Sequence, residues 1–344
     1  MQRRNQCSFE GPVRPESLTY GRFTWNNWEN KASCAFHVKR ESRAGWAIVS
    51  RETFGVPPLF TSAYNRLTPM APAAVEDDAA RPISHLPSHI PHLPFPMGRV
   101  LCIANQKGGV GKTTTAVNLA ACAAMAGRRT LLVDLDPQCN ATSAVGRQPT
   151  ARHPLVELTP LREAIVPTGV RNLELLPGSR SFHDVDHLAS VDDSESRQVA
   201  GNLAASLTVY DLVCVDCPPS LGALTRTALA TADEVLMPIQ CEYFAMEGLT
   251  QMIEVIRHVM QGQNSRLQFG GILLTMYDPA LELTREIDRE VRDFFGDVVF
   301  QTVVPRDVAA AEAPSHGQPI MVYAPRSRAA RAYIELCLEV LDRV

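Results

Sequence analysis

The chain has 344 residues, 45% of them apolar, and a formal net charge of −4. That length allows more than one domain, and the charge lacks the overall basicity that advertises nucleic acid, so any such contact would need a local patch. No stretch approaches the roughly 18 consecutive apolar residues of a membrane span, the opening MQRRNQCSFEG has no apolar core for a secretory signal, and nine irregularly spaced cysteines read as reduced thiols in a cytoplasmic protein.

The text changes character near residue 97. Before it there is no clear helical or strand period, all three tryptophans (Trp25, Trp28, Trp46) are found there, and the run RPISHLPSHIPHLPFP closes the region. Such a run favours extended, poorly packed chain. The cluster His85, His89, His92 has the residue type of a metal site, but is read as a histidine-bearing linker. MGRVLCIANQ, from Met97, reads as a protein start in its own right. Residues 1–96 are therefore expected to be a disordered or dispensable extension, a picture that a mis-assigned start codon would also produce. Residues 97–344 are expected to be the working domain.

After Met97, strand-length apolar runs alternate with helical stretches. RVLCIAN is followed by a helix over about Lys112 to Ala126, then TLLVDLD and LELLP, and later DLVCVDCPP, EVLMPIQ, GGILLTMYD and VVFQTVVP, with helices such as Phe244 to Met260 and Leu281 to Phe295 between them. Continuously apolar strands separated by helices predict an α/β fold, a parallel twisted sheet with helices on both faces. About 248 residues suffice for one large core.

The strand RVLCIAN runs into QKGGVGKTTT, which gives strand, glycine-rich turn and helix, the context of a phosphate-binding loop. Gly108, Gly109 and Gly111, with Val110 between them, let backbone N–H groups curl around phosphate oxygens. The helix opening at Lys112, Thr113 and Thr114 points its positive end at the same anion. Lys112 would reach the β- and γ-phosphates of ATP, and the Thr113 hydroxyl would ligate Mg²⁺. The spelling is unusual: the first glycine of G-x-x-x-x-G-K-[ST] is replaced by Gln106, and a second lysine, Lys107, follows. Between residues 97 and 344 these are the only two lysines, every other basic residue apart from histidine being arginine. A slim ammonium on a flexible stem suits a tight cradle where a planar guanidinium does not, so Lys107 reads as functional.

K-G-G-x-G-K-T resembles the deviant Walker A motif of the ParA/MinD superfamily of P-loop ATPases. The resemblance implies that Lys107 reaches across a nucleotide-sandwich homodimer to the partner's phosphates, in the manner of an arginine finger delivered in trans. LLVDLDPQCNAT at 131–142 resembles the segment D-x-D-P-Q-G-N-A-T of ParA proteins. By that resemblance Asp136 positions or activates the attacking water beside the metal, and Asp134 is structural. Cys139 stands where the family has glycine, which implies strain if that position needs φ > 0. DLVCVDCPPSLG resembles a Walker B segment, in which Asp216 would hold Mg²⁺ through water. Its Cys214 and Cys217 form a C-x-x-C that lacks the remaining ligands of a tetrahedral metal site.

MPIQCEYFAMEGL at 237–249 and AEAPSHGQPIMVYAPRSRAARAY at 311–333 are also similar to chromosome-partitioning ParA proteins of the Soj branch, and the likeness spans residues 99–340. Phe244, Leu249 and Ile320 within these motifs are expected to be core. Pro305, Arg306 and Asp307 match the family segment that packs near the adenine, with Asp307 in place of asparagine. The resemblance implies an ATP-dependent homodimer, a ParB-like partner that stimulates slow hydrolysis, and non-specific DNA binding through surface arginines. Ala280 and Ala309 occupy two positions where the branch reads arginine, which puts that binding in doubt. Arg285, Arg289 and Arg292 form one helical stripe, read as a solvated, salt-bridged face given the acids around it. Arg326, Arg328 and Arg331 form a second candidate patch. The alternatives are an orphan relative positioning a protein cluster, and a MinD-like membrane switch, against which the mixed-charge terminal segment RAARAYIELCLEVLDRV counts.

Overall fold

The computed structural model describes residues 20–25, 34–42, 45–48, 98–157, 160–182, 209–242 and 245–343. The chain divides into two units, Met1–Pro82 and Ile83–Val344. The first contains an antiparallel three-stranded sheet, in which β1 (Tyr20–Trp25) pairs with β2 (Cys34–Ser42) and β2 with β3 (Gly45–Ile48). Sequence periodicity did not reveal these strands. Their register sets Tyr20 opposite Lys39 and Trp25 opposite Cys34. The proline-rich run and the three histidines lie outside the described residues.

The second unit is built on an eight-stranded sheet. In chain order its strands are β4 (Arg99–Ile103), β5 (Thr130–Asp134), β6 (Val166–Pro167), β7 (Leu173–Leu176), β8 (Leu212–Asp216), β9 (Glu234–Gln240), β10 (Gln268–Tyr277) and β11 (Val299–Pro305). Their spatial order is β11-β10-β9-β4-β8-β5-β7-β6, parallel throughout except for the antiparallel β6–β7 pair. The expected parallel α/β sheet is thus present. The long helices are α1 (Lys112–Met125), α4 (Ala223–Thr231), α5 (Ala245–Gly262), α6 (Glu282–Phe295) and α9 (Arg328–Asp342). Short turns of helix are α2 (Asn140–Ala144), α3 (Pro154–Glu157), α7 (Val308–Glu312) and α8 (Ile320–Tyr323).

Every residue of β4, β5 and β8 is buried, as a sheet covered on both faces demands. The two-residue alternation of a strand divides them between two cores. Val100 and Cys102 face a core built with α4, α5 and α6, whereas Leu101 and Ile103 face one built with α1 and α9. Helix α6 buries Thr284, Ile287 and Val291, spaced at i, i+3 and i+7, and leaves most of its charges to solvent, with Asp288 and Arg292 half-buried. Leu249 and Ile320 are fully buried, as expected; Phe244 lies outside the described residues.

Topology places the site. From β4 the chain crosses to β5 on one side, and from β8 it crosses to β9 on the other. The carboxyl ends of β4 and its neighbours therefore lie where the connections diverge, the place at which open α/β sheets bind ligands. Strand register brings Ile103 level with Asp216, and Asp216 level with Asp134.

Candidate nucleotide site

The loop after β4 is held from beneath by three side chains. Asn105 donates from Nδ2 to the Pro238 carbonyl of β9 at 2.8 Å and accepts from the Lys107 N–H at 3.0 Å. The Thr275 hydroxyl of β10 lies 2.8 Å from the Val110 carbonyl and 2.9 Å from that of Ile239, so one hydroxyl serves the loop and the neighbouring strand together. Asn118 of α1 donates to the Thr114 carbonyl and accepts from the Ile320 N–H, which fastens the first turn of the helix to α8. Gly111 precedes α1 at φ +85 and Gly109 sits at φ +76, left-handed values that a side chain would strain. No atom lies within 4 Å of where a Cβ would stand on Gly108 or Gly109, so the face of the loop that would receive phosphates is open.

Lys112 is 6% exposed and its Nζ donates to the Lys107 carbonyl at 2.9 Å. Burial lowers its pKa, opposed by the negative fields of Asp216, Cys217 and Asp136. Lys107 points elsewhere: its ammonium forms an ion pair with Glu242, in the loop between β9 and α5.

Three aspartates close the site, each in a different condition. Asp134 is saturated. Its Oδ1 accepts from the Asp136 N–H at 3.1 Å, and its Oδ2 accepts from the Thr142 N–H at 2.8 Å and the Thr142 hydroxyl at 2.6 Å. Burial nevertheless pushes its pKa up to about 6. Asp136 is 5% exposed, and its Oδ1 accepts from the Gln138 N–H at 2.9 Å. Asp216 is fully buried, and among the described residues neither of its oxygens has a hydrogen-bond partner. Burial raises its pKa well above the usual carboxylate range, as does Asp134; the adjacent Thr113 hydroxyl and Lys112 ammonium act the other way. An orphaned buried carboxylate is costly unless a cation meets it. Its position beside Thr113 fits a Mg²⁺ site made of hard oxygen ligands.

Cys139 adopts φ +56 at the start of α2. The condition for strain at this position is therefore met, with a residue that resists the left-handed conformation. In the C-x-x-C segment, Cys214 is buried inside β8, while the Cys217 sulfur lies 3.2 Å from that of Cys102.

A family model described as an AAA domain matches residues 98–269. The chromosome partitioning protein ParA of Myxococcus xanthus is 45% identical over 72% of this chain and 89% of its own length. The sporulation initiation inhibitor protein Soj of Bacillus subtilis is 44% identical over 71% of this chain and 98% of its own. This chain belongs to the ParA/Soj family of chromosome-partitioning ATPases. Among solved structures, cobyrinic acid a,c-diamide synthase from Mycobacterium smegmatis with bound ADP and magnesium superimposes with a TM-score of 0.62 at 33% identity, over 71% of this chain and 94% of that one.

Several features of this ParA/Soj chain differ from the simplest transfer of family roles. Asp307, expected near the adenine as an added negative charge, uses both oxygens at helix starts: Oδ1 caps α7 at the Ala309 N–H and Oδ2 accepts from the Ala329 N–H of α9, each at 3.0 Å. Pro305 ends β11 level with Tyr277, and the Arg306 N–H donates to the Tyr277 carbonyl. Arg306 itself is exposed. Ala280 is exposed in the turn after β10, whereas Ala309 packs partly buried against the α1–α9 core. In the stripe on α6, Arg292 bonds Asp288 and the Phe300 carbonyl, Arg285 bonds the Pro279 carbonyl, and Arg289 is exposed. Arg326, Arg328 and Arg331 are all exposed, and the Arg328 guanidinium donates to the Arg306 carbonyl.

Sequence reasoning missed Glu242, Thr275, Asn105 and Asn118. Glu242 stood in the quoted motif MPIQCEYF, immediately beyond a strand, where its position at a carboxyl end was a signal. Thr275 could be suspected only as a polar residue inside the apolar run GGILLTMY.

Proposed function

We propose that the protein is an ATP-driven dimerisation switch for partitioning chromosomal or plasmid DNA. ATP closes two copies together, the closed pair holds DNA irrespective of sequence, and hydrolysis stimulated by a ParB-like partner releases it. The observation that carries this reading is the division of labour between two lysines five residues apart. Lys112 is packed among the site's carboxylates, and Lys107 lies at the rim with its side chain 35% exposed.

In this reading the amides of Gly108, Gly109, Val110 and Gly111, with those of Lys112, Thr113 and Thr114, grip the phosphates. Lys112 neutralises charge on them. Thr113 directly, and Asp216 through water, would hold Mg²⁺, which would supply charge neutralisation at the transferred phosphoryl oxygens. Asp136 would position or activate the attacking water. Lys107 of the partner subunit covers the same phosphates, so occupancy by ATP and pairing of chains are one event. Pro305, Arg306 and Asp307 border the adenine side, with Asp307 supporting the segment through its two helix caps.

For DNA, the exposed Arg306, Arg326, Arg328 and Arg331 supply the phosphate contacts, and the alanines at 280 and 309 lower their number, which flattens the salt slope. The membrane alternative is disfavoured by α9, which packs Ala329, Ala330, Tyr333, Leu336 and Val340 into the core. Among the described residues no helix is long and apolar enough to cross a membrane. Binding to chromosomal DNA would place the protein at the nucleoid in the cytoplasm. Filter retention of plasmid DNA at low salt tests the reading: DNA is held with ATP and released with ADP, and absence of ATP-dependent retention would reject the DNA-binding half.

A further inference from the structure

Glu242 has no role in the account so far, yet it holds the side chain on which dimerisation is proposed to depend. Its carboxylate pairs with the Lys107 ammonium of its own chain. The contact joins residues 135 apart in sequence, and both ends are anchored. On one side Asn105 fixes the Lys107 backbone to β9. On the other, Glu242 follows β9, and its backbone accepts from the Ala245 N–H at the start of α5. The pair is half-open to solvent, with side-chain exposures of 35% and 44%, so it is a latch that exchanges readily and not a buried structural bridge.

We infer that Glu242 is a positioning residue that holds Lys107 in cis and so sets the threshold at which ATP closes the dimer. The inference rests on the trans role proposed for Lys107. An ammonium bound to its own chain's carboxylate has to leave it before reaching a second copy's triphosphate. The equilibrium between those two anions decides how much ATP-loaded protein is needed for pairing. Since the dimer is two-fold symmetric, the latch is broken twice for each closure.

The test is the protein concentration for half-dimerisation with a non-hydrolysable ATP analogue, measured by light scattering on the full chain. Glu242→Gln removes the charge and keeps the shape. Its half-dimerisation concentration is expected to fall by roughly 2- to 30-fold, two exposed ion pairs' worth, while analogue affinity of the dilute monomer is unchanged. Glu242→Asp, which retains the anion, is expected to lie nearer wild type. Matching thermal melts establish that the variants fold, which the exposure of Glu242 favours. A midpoint unchanged or raised in Glu242→Gln overturns the inference. Full dimerisation by Lys107→Ala would instead overturn the trans role beneath it, so the two failures are told apart.

Discussion

Asp134 and Asp216 stand level on adjacent parallel strands, yet among the described residues one accepts three hydrogen bonds and the other none. The difference separates structure from chemistry. Removing Asp134 strands the Thr142 N–H, the Thr142 hydroxyl and the Asp136 N–H in the interior. Asp134→Ala is expected to lower unfolding free energy by about 3 kcal/mol or more, read from denaturant midpoints. Asp216→Asn removes a carboxyl whose charged form burial disfavours, so its fold should be at least as stable as wild type. Its Mg²⁺-dependent ATPase rate should fall by about 10- to 100-fold, the usual effect of losing a partner outside the metal's direct ligands.

Thr275 gives a second test. Thr275→Val deletes the hydroxyl that supports the Val110 carbonyl without changing volume. Loss of one hydrogen bond of about 1 kcal/mol weakens ATP affinity roughly fivefold, measurable by calorimetry. Thr275→Ser should restore it.

Cys139 tests backbone strain. At φ +56, replacement by a β-branched residue is expected to cost about 2 kcal/mol, so Cys139→Val should melt well below wild type. Cys139→Gly relieves strain but loses a buried side chain and gains unfolded-state entropy, so its net change is expected to stay within about 1 kcal/mol.

His153 predicts a pH dependence. It is fully buried, its ring 4.4 Å from that of Phe182, and burial pushes its pKa down to about 3 despite a backbone interaction with Pro177. The unfolded chain binds a proton near pH 6.5 that the folded chain refuses until about 3. The contribution is therefore present above pH 6.5 and lost as pH falls towards 3. Between pH 7.5 and 5, wild type should lose about 2 kcal/mol more than His153→Phe.

Much of this was legible in the sequence. The runs RVLCI, TLLVD and LVCVD announced strands β4, β5 and β8 because burial on both faces leaves their middles apolar, with polar residues only at the ends. The lysine at 112 marked the first residue of α1, and the glycine missing at 139 marked a place where a positive φ would cost strain. What stayed hidden depended on distant partners. Nothing local to Glu242 shows that its carboxylate meets a lysine 135 residues earlier, and the two helix caps made by Asp307 require α9 to be placed first. Strand β6 and helices α2, α3, α7 and α8 span two to five residues, too short for a period to emerge. The antiparallel strands between residues 20 and 48 were hidden by irregular polarity.

The central claim is that Lys107 couples ATP to pairing, and mass in solution tests it most directly. With a non-hydrolysable ATP analogue, the wild-type chain of 37.7 kDa is expected to double its mass by light scattering. Lys107→Ala should bind the analogue with wild-type affinity and remain at the mass of one chain. A Lys107→Ala protein that doubles its mass as fully as wild type would contradict the account.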